Sequence, residues 1–141
     1  MRAGIIAIIL MGIGAFVACQ TRATIGKEPV YENITPARLK ERLERGEDLV
    51  LLDVRSPREF TGPLGHLEGA ILIPVRELEE RVGELNDYKD KEIIAYCRSG
   101  NRSRTAATLL SRHSFRVTNL LGGMKAWNAS MNAPAEDQKM D

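Results

Sequence analysis

The chain has 141 residues, 43% hydrophobic and 28% charged, enough for one domain with a modest core and not for two. A formal net charge of +1 excludes the basic excess of a nucleic-acid-binding domain. Two cysteines, Cys19 and Cys97, exclude a disulfide framework; neither they nor His66 and His113 fall at zinc-ligand spacing, so no metal and no cofactor are expected.

The N-terminus reads separately from the rest. Met1 and Arg2 precede an uncharged run, Ala3 to Ala18, rich in Ile, Gly and Ala. The run is short for a membrane span and right for the core of a signal peptide. It ends Phe16-Val17-Ala18-Cys19, which resembles the lipobox of bacterial lipoproteins; that resemblance implies cleavage before Cys19 and a lipid on its sulfur. An uncleaved anchor and a released soluble protein are the other two readings. All three place the domain outside the cytoplasm of a bacterium, because Arg2 favours the inner side. The expected organisation is a signal peptide over 1–18, a tether over 19–29, a domain over 30–129 and a flexible tail over 130–141.

From Val30 onward, strand and helix patterns alternate. Val30 to Asn33 is a short strand, and Thr35-Pro36 starts a helix with Thr35 as N-cap and Pro36 at its first position. Leu39 and Leu43 share one face, and Gly46 ends it. Leu49-Val50-Leu51-Leu52 is a continuous apolar strand of the buried parallel kind, and it delivers Asp53 and Arg55 at its C-terminal edge. A turn-rich stretch, Thr61 to Gly65, leads to a strand at Ile71-Leu72-Ile73 that Pro74 stops. Val75, Leu78, Val82 and Leu85 then fall at helical spacing, and Asn86 to Lys91 reads as a polar loop. Glu92 to Tyr96 is the next strand. After Cys97 comes a helix beginning at Ser103-Arg104, then a last strand, Val117 to Leu120. Gly122-Gly123 makes a tight turn into a terminal helix, Met124 to Ala129, carrying Trp127 as a core residue. The alternation defines an α/β fold, a parallel sheet with helices on both faces.

The chemistry concentrates in Cys97-Arg98-Ser99-Gly100-Asn101-Arg102-Ser103. A cysteine between a buried strand and a helix sits where backbone N–H groups converge and the helix dipole adds positive charge. Arg98 and Arg102 act in the same direction, so the thiolate, the useful nucleophile, is favoured. A buried inert thiol would have no need of them.

This loop resembles the active-site loop of rhodanese-domain sulfurtransferases, and the likeness continues on both sides. Upstream lie Leu52-Asp53-Val54-Arg55-Ser56-Pro57-Arg58-Glu59-Phe60, Gly65-His66-Leu67-Glu68-Gly69-Ala70 and Ile73-Pro74; downstream is Leu120-Leu121-Gly122-Gly123-Met124-Lys125-Ala126-Trp127. The resemblance implies a rhodanese-like fold and a persulfide carried on Cys97. It makes Arg98, Ser99, Gly100, Asn101, Arg102 and Ser103 the substrate-binding cradle. Asp53, Arg55, Glu59 and His66 then organise loops as structural support, rather than serving as acid, base or dyad partner. The expected partners are a small-molecule sulfur donor such as thiosulfate and an external thiol or cyanide acceptor, with the domain a monomer held to a membrane through its N-terminus. A binding or sulfur-carrier module without turnover is the alternative from another class. A cysteine phosphatase or arsenate reductase is the nearest enzymatic rival, although only four residues separate Cys97 from Arg102 where that cradle has five.

Overall fold

The structure, a computed structural model, describes residues 30–133. The signal, lipobox and tether expectations, with Cys19, lie outside the described residues, as does most of the C-terminal tail. Five strands form one parallel sheet: β1 (Glu32–Ile34), β2 (Leu49–Asp53), β3 (Ile71–Leu72), β4 (Glu92–Tyr96) and β5 (Arg116–Leu120). Their spatial order is β1-β5-β4-β2-β3, which puts β4 at the centre.

Period-two alternation in the strands divides the core between two faces. Val50 and Leu52 of β2 and Ile93 and Ala95 of β4 face one layer, and Cys97 continues their register. That layer is closed by α4 (Asn101–Arg112) through Ala106, Ala107 and Leu110, whose small side chains admit close packing. Leu51, Ile94, Tyr96 and Leu120 face the other way, against Leu39 of α1 (Pro36–Glu44) and Met124 and Trp127 of α5 (Gly123–Asn132). Trp127 is half-buried there, as a core residue. The α1 start is as expected: Thr35 Oγ1 accepts the Arg38 N–H at 3.3 Å, and Gly46 beyond the end adopts φ +69°.

Strand ends shift by up to two residues, as in β1 at Glu32–Ile34 rather than Val30–Asn33, and three helix boundaries differ. The helix expected from Val75 is only α3 (Leu78–Arg81), which tightens into a 3-10 segment, Val82–Tyr88. Val75 sits in a turn before the helix, with its N–H committed to Val54 O at 3.0 Å and the turn closed by Glu77 N–H to Pro74 O at 2.8 Å. Threefold spacing then lines up Val82, Leu85 and Tyr88 on the core, so much of the expected polar loop is helical. α4 begins at Asn101, two residues earlier than expected. α5 runs on to Asn132, three residues into the segment read as tail.

Candidate active site

Cys97 follows the central strand, at the C-terminal edge where open α/β sheets keep their functional loops. The turn after it is short. Gly100 adopts φ +102°, open to glycine without strain, and this aims its N–H at Cys97 Sγ, 3.1 Å away. Ser103, in the first turn of α4, brings its Oγ to 3.5 Å from the sulfur. The loop's carbonyls are held on the other side. Cys97 O accepts the Met124 N–H at 2.8 Å and Arg98 O the Lys125 N–H at 3.0 Å, so the unpaired amides of α5's first turn find acceptors in the loop. The cysteine is 1% exposed. Burial pushes its thiol up, but donation from the Ser103 hydroxyl and the Ser103, Ser99 and Gly100 amides outweighs it, holding the thiol below its ordinary value.

The residues expected to organise loops come together in two ion pairs. Asp53 and Arg55 are fully buried; Arg55 Nη2 lies 2.6 Å from Asp53 Oδ2 and Nε 2.9 Å from Oδ1, and the Arg55 backbone N–H also reaches Oδ1 at 2.9 Å. Arg55 Nη2 also holds Gly65 O at 2.7 Å, which ties the long β2–β3 connection to the sheet edge. Glu59 closes a capping box with Ser56 at the start of α2 (Pro57–Phe60). It also receives Arg102 bidentately, at 2.7 and 2.6 Å, and this donor fork is the main reason its carboxyl is held at about 2. Arg102, expected in the cradle, stands on the first turn of α4 and clamps that helix to α2 through Glu59. His66 stacks on Phe60 with ring centroids 3.7 Å apart and its Nδ1 is 2.9 Å from Phe60 O, in the turn and in no hydrogen bond with the cysteine.

Beside the loop opens a cavity of about 360 Å³. Gly62, Pro63 and Leu64 form an apolar wall, and Arg58 and Arg98 face across it. Neither arginine has a carboxylate partner among the described residues. Ser99 and Asn101 are exposed, and Asn101 Oδ1 accepts from Arg104 at 3.3 Å. Among the described residues no group of three or more His, Cys, Asp and Glu side chains converges as metal ligands would.

Two residues of this neighbourhood carry no role in the sequence patterns, Arg58 and Asn119. Asn119, 1% exposed on β5, accepts the Ser103 hydroxyl at 2.7 Å and donates to Asn33 Oδ1 at 2.8 Å. The signal for Asn119 is a poor strand former next to the apolar end of a buried strand, where an amide requires partners.

A parallel sheet that presents one hydrogen-bonded cysteine at the edge of its central strand, followed by an arginine without a carboxylate partner among the described residues, defines an α/β domain with a cysteine loop at its C-terminal edge. The rhodanese-like domain family matches residues 35–130, and the chain belongs to it. The chain is 38% identical over 96 residues to YtwF of Bacillus subtilis, covering 68% of this chain and 89% of that one. It is likewise 38% identical over 90 residues to a protein of Allochromatium vinosum named sulfurtransferase, covering 63% and 80%. Among solved structures, a rhodanese-related protein from Thermoplasma volcanium superposes with a TM-score of 0.64 at 32% identity, over 74% of this chain and 96% of that one.

Proposed function

We propose that the protein is a sulfurtransferase that moves sulfane sulfur from an anionic donor such as thiosulfate to a thiol or cyanide through a persulfide on Cys97. The observation that carries this is a thiol hydrogen-bonded by its own loop and held below its ordinary value, next in the chain to Arg98, which lines the adjoining cavity with Arg58 and has no carboxylate partner among the described residues. The Cys97 thiolate attacks the outer sulfur of thiosulfate. A bond from Sγ to that sulfur forms, the bond to the sulfonate sulfur breaks, and sulfite leaves with the electron pair. The remaining persulfide anion stays within reach of the amides that held the thiolate, a preorganised stabilisation that needs no rearrangement. An external thiolate or cyanide then attacks the outer sulfur, and Cys97 departs as thiolate. No other cysteine lies among the described residues, so the acceptor comes from outside. The phosphatase reading loses support, because the arginine that would face a phosphoryl group is engaged by Glu59.

The deciding experiment is intact mass after incubation with thiosulfate. Parent protein should gain one sulfur atom that cyanide removes as thiocyanate, and Cys97→Ser should gain none while keeping a folded circular-dichroism spectrum. A stable adduct with no transfer to any acceptor would make the domain a carrier, and no adduct would remove sulfur chemistry altogether.

Export and lipidation at Cys19 are part of the same proposal and rest on the sequence pattern Phe16-Val17-Ala18-Cys19. In a bacterial host, parent protein should lose its first eighteen residues and enter the detergent phase, while Cys19→Ala should keep the longer chain. Retention of the apolar N-terminus by the parent would establish an uncleaved anchor instead.

A further inference from the structure

Ser103 has one hydroxyl proton and three acceptors around it: Asn119 Oδ1 at 2.7 Å, Gly100 O at 3.1 Å and Cys97 Sγ at 3.5 Å. The shortest of these is to an amide oxygen, a better acceptor than a neutral sulfur. The direction of that amide is set at its other end, where Asn119 Nδ2 donates to Asn33 Oδ1 at 2.8 Å across the paired strands β5 and β1. A chain of hydrogen bonds therefore runs from exposed Asn33 through buried Asn119 and Ser103 to the edge of the sulfur, and it draws the hydroxyl proton away from Cys97.

We propose that Asn119 is a positioning residue that competes with Cys97 for the Ser103 hydroxyl, so that the sulfur receives only a long, weakened donation beside those of the backbone amides. To donate to the thiolate, Ser103 must give up its contact with Asn119, and that loss in a buried site offsets much of the gain. The consequence is chemical. A thiolate stabilised by every available donor is more abundant but less nucleophilic, with reactivity falling as the pKa falls. Holding back one donor keeps the sulfur nucleophilic toward its donor, at a smaller cost in its leaving ability toward the acceptor. The other charged groups of the surrounding elements are already committed or lie further out. Arg102 of α4 is held by Glu59 of α2, Asp53 and Arg55 at the end of β2 hold each other, and Arg98 and Lys125 are exposed. The inference rests on Cys97 being the nucleophile proposed above.

The test is the pH dependence of Cys97 alkylation by iodoacetamide, followed by peptide mass in the full chain. It reads the thiolate without any sulfur donor, so it stands or falls separately from the sulfurtransferase assay. Asn119→Leu frees the hydroxyl, and the alkylation rate below the thiol's pKa should rise about two- to fourfold, the gain in thiolate from one hydrogen bond less the accompanying fall in nucleophilicity. Asn33→Ala releases the far end of the same chain at an exposed position and should raise the rate at least about twofold. Asn33→Asp keeps the acceptor and should restore the parent rate. In a Ser103→Ala background, Asn119→Leu should change nothing, because its effect passes through the hydroxyl. An unchanged or slower rate in folded Asn119→Leu overturns the proposal, as does a gain that persists without the Ser103 hydroxyl. If Asn119→Leu does not fold, Asn33→Ala decides in the same way.

Discussion

At the scale of single residues, the sulfur and the two free guanidinium groups have different jobs. Cys97 is held by short-range donors, none of them a formal charge: a glycine amide at 3.1 Å and the first turn of α4. Arg98 is the loop residue next to it, exposed and unpaired among the described residues, and Arg58 stands across the cavity. Such groups act on a charged ligand more than on the cysteine. Arg98→Ala should raise KM for thiosulfate about tenfold, the lower range for a charge-assisted hydrogen bond at an exposed position, and Arg58→Ala should raise it less. Steady-state assays with thiosulfate and with a neutral persulfide donor separate the effects. An equal loss with both donors would assign Arg98 to holding the loop's shape.

At the scale of elements, the cradle is made by two helices meeting one loop. α4 supplies N–H groups to the sulfur, and α5 supplies N–H groups to the carbonyls of Cys97 and Arg98. The second contact depends on Gly123. Its φ is +58°, and a Cβ there would meet the carbonyl oxygen of Cys97 and lie 2.7 Å from the carbonyl carbon of Arg98, both rigid backbone. Gly123→Ala should therefore push the loop outward and cut sulfur transfer about a hundredfold, the cost of roughly 1 Å at a reacting centre. Gly46→Ala is the matched control: its φ is +69°, but nothing lies within 4 Å of the added carbon. It should lose stability from the backbone strain and keep kcat. Equal loss of kcat in both variants would show that strain, and not the contact with the loop, is responsible. The Asp53–Arg55 pair belongs to this scale too. Removing one partner of such a buried pair costs about 3–5 kcal/mol, because the other is left as an unpaired charge.

At the scale of the whole molecule, the parallel sheet has two unlike edges. The C-terminal edge carries the cysteine, the cavity and the free arginines. The N-terminal edge is closed by an ion-pair network in which Arg42 binds Glu92 at 3.0 and 2.7 Å and Glu47 at 2.6 Å, with Thr118 Oγ1 also donating to Glu92 at 2.7 Å. A cavity of about 250 Å³ at that edge, lined by Tyr31, Glu92 and Arg116, is far from the cysteine loop in the sheet. The Glu59–Arg102 clamp joins α2 to α4 across the active edge and makes stability depend on pH. Glu59 has its pKa depressed from an ordinary 4.5 to about 2, so its contribution is fully present above 4.5 and is lost as pH falls through about 2. With the two side chains 29% and 37% exposed, solvent screening reduces the contribution to about 1–2 kcal/mol. Glu59→Gln should lower Tm at pH 7, and the gap to the parent should close as the pH is brought down toward 2. A gap that stays constant over that range would show that Glu59 acts by packing rather than by charge.

The strands that build the sheet were legible in the chain because buried parallel strands must be apolar on both faces, as Leu49–Leu52 and Ile93–Ala95 are. Thr35-Pro36 and Gly46 were legible because capping and positive φ are local demands. The cysteine and its loop were legible for the same reason: a sulfur nucleophile needs amides from its own turn, and Gly100 permits that turn. What a side chain meets across the fold is set by topology. Arg102 lies five residues from Cys97 in sequence, yet α4 begins at Asn101 and turns its guanidinium onto Glu59, which arrives from forty-three residues away. Val75 fits a helical pattern but is held in a turn before the helix, its N–H taken by Val54 O at the sheet edge. Asn119 and Asn33 meet only because β5 and β1, first and last in the chain, lie side by side in the sheet. The amino-acid order alone determined the strands, the sulfur and its turn, since each depends on residues near one another. Only the tertiary structure decided which arginine is free to bind an anion and which hydroxyl is free to reach the sulfur, because each already has a competing partner from a distant strand or helix.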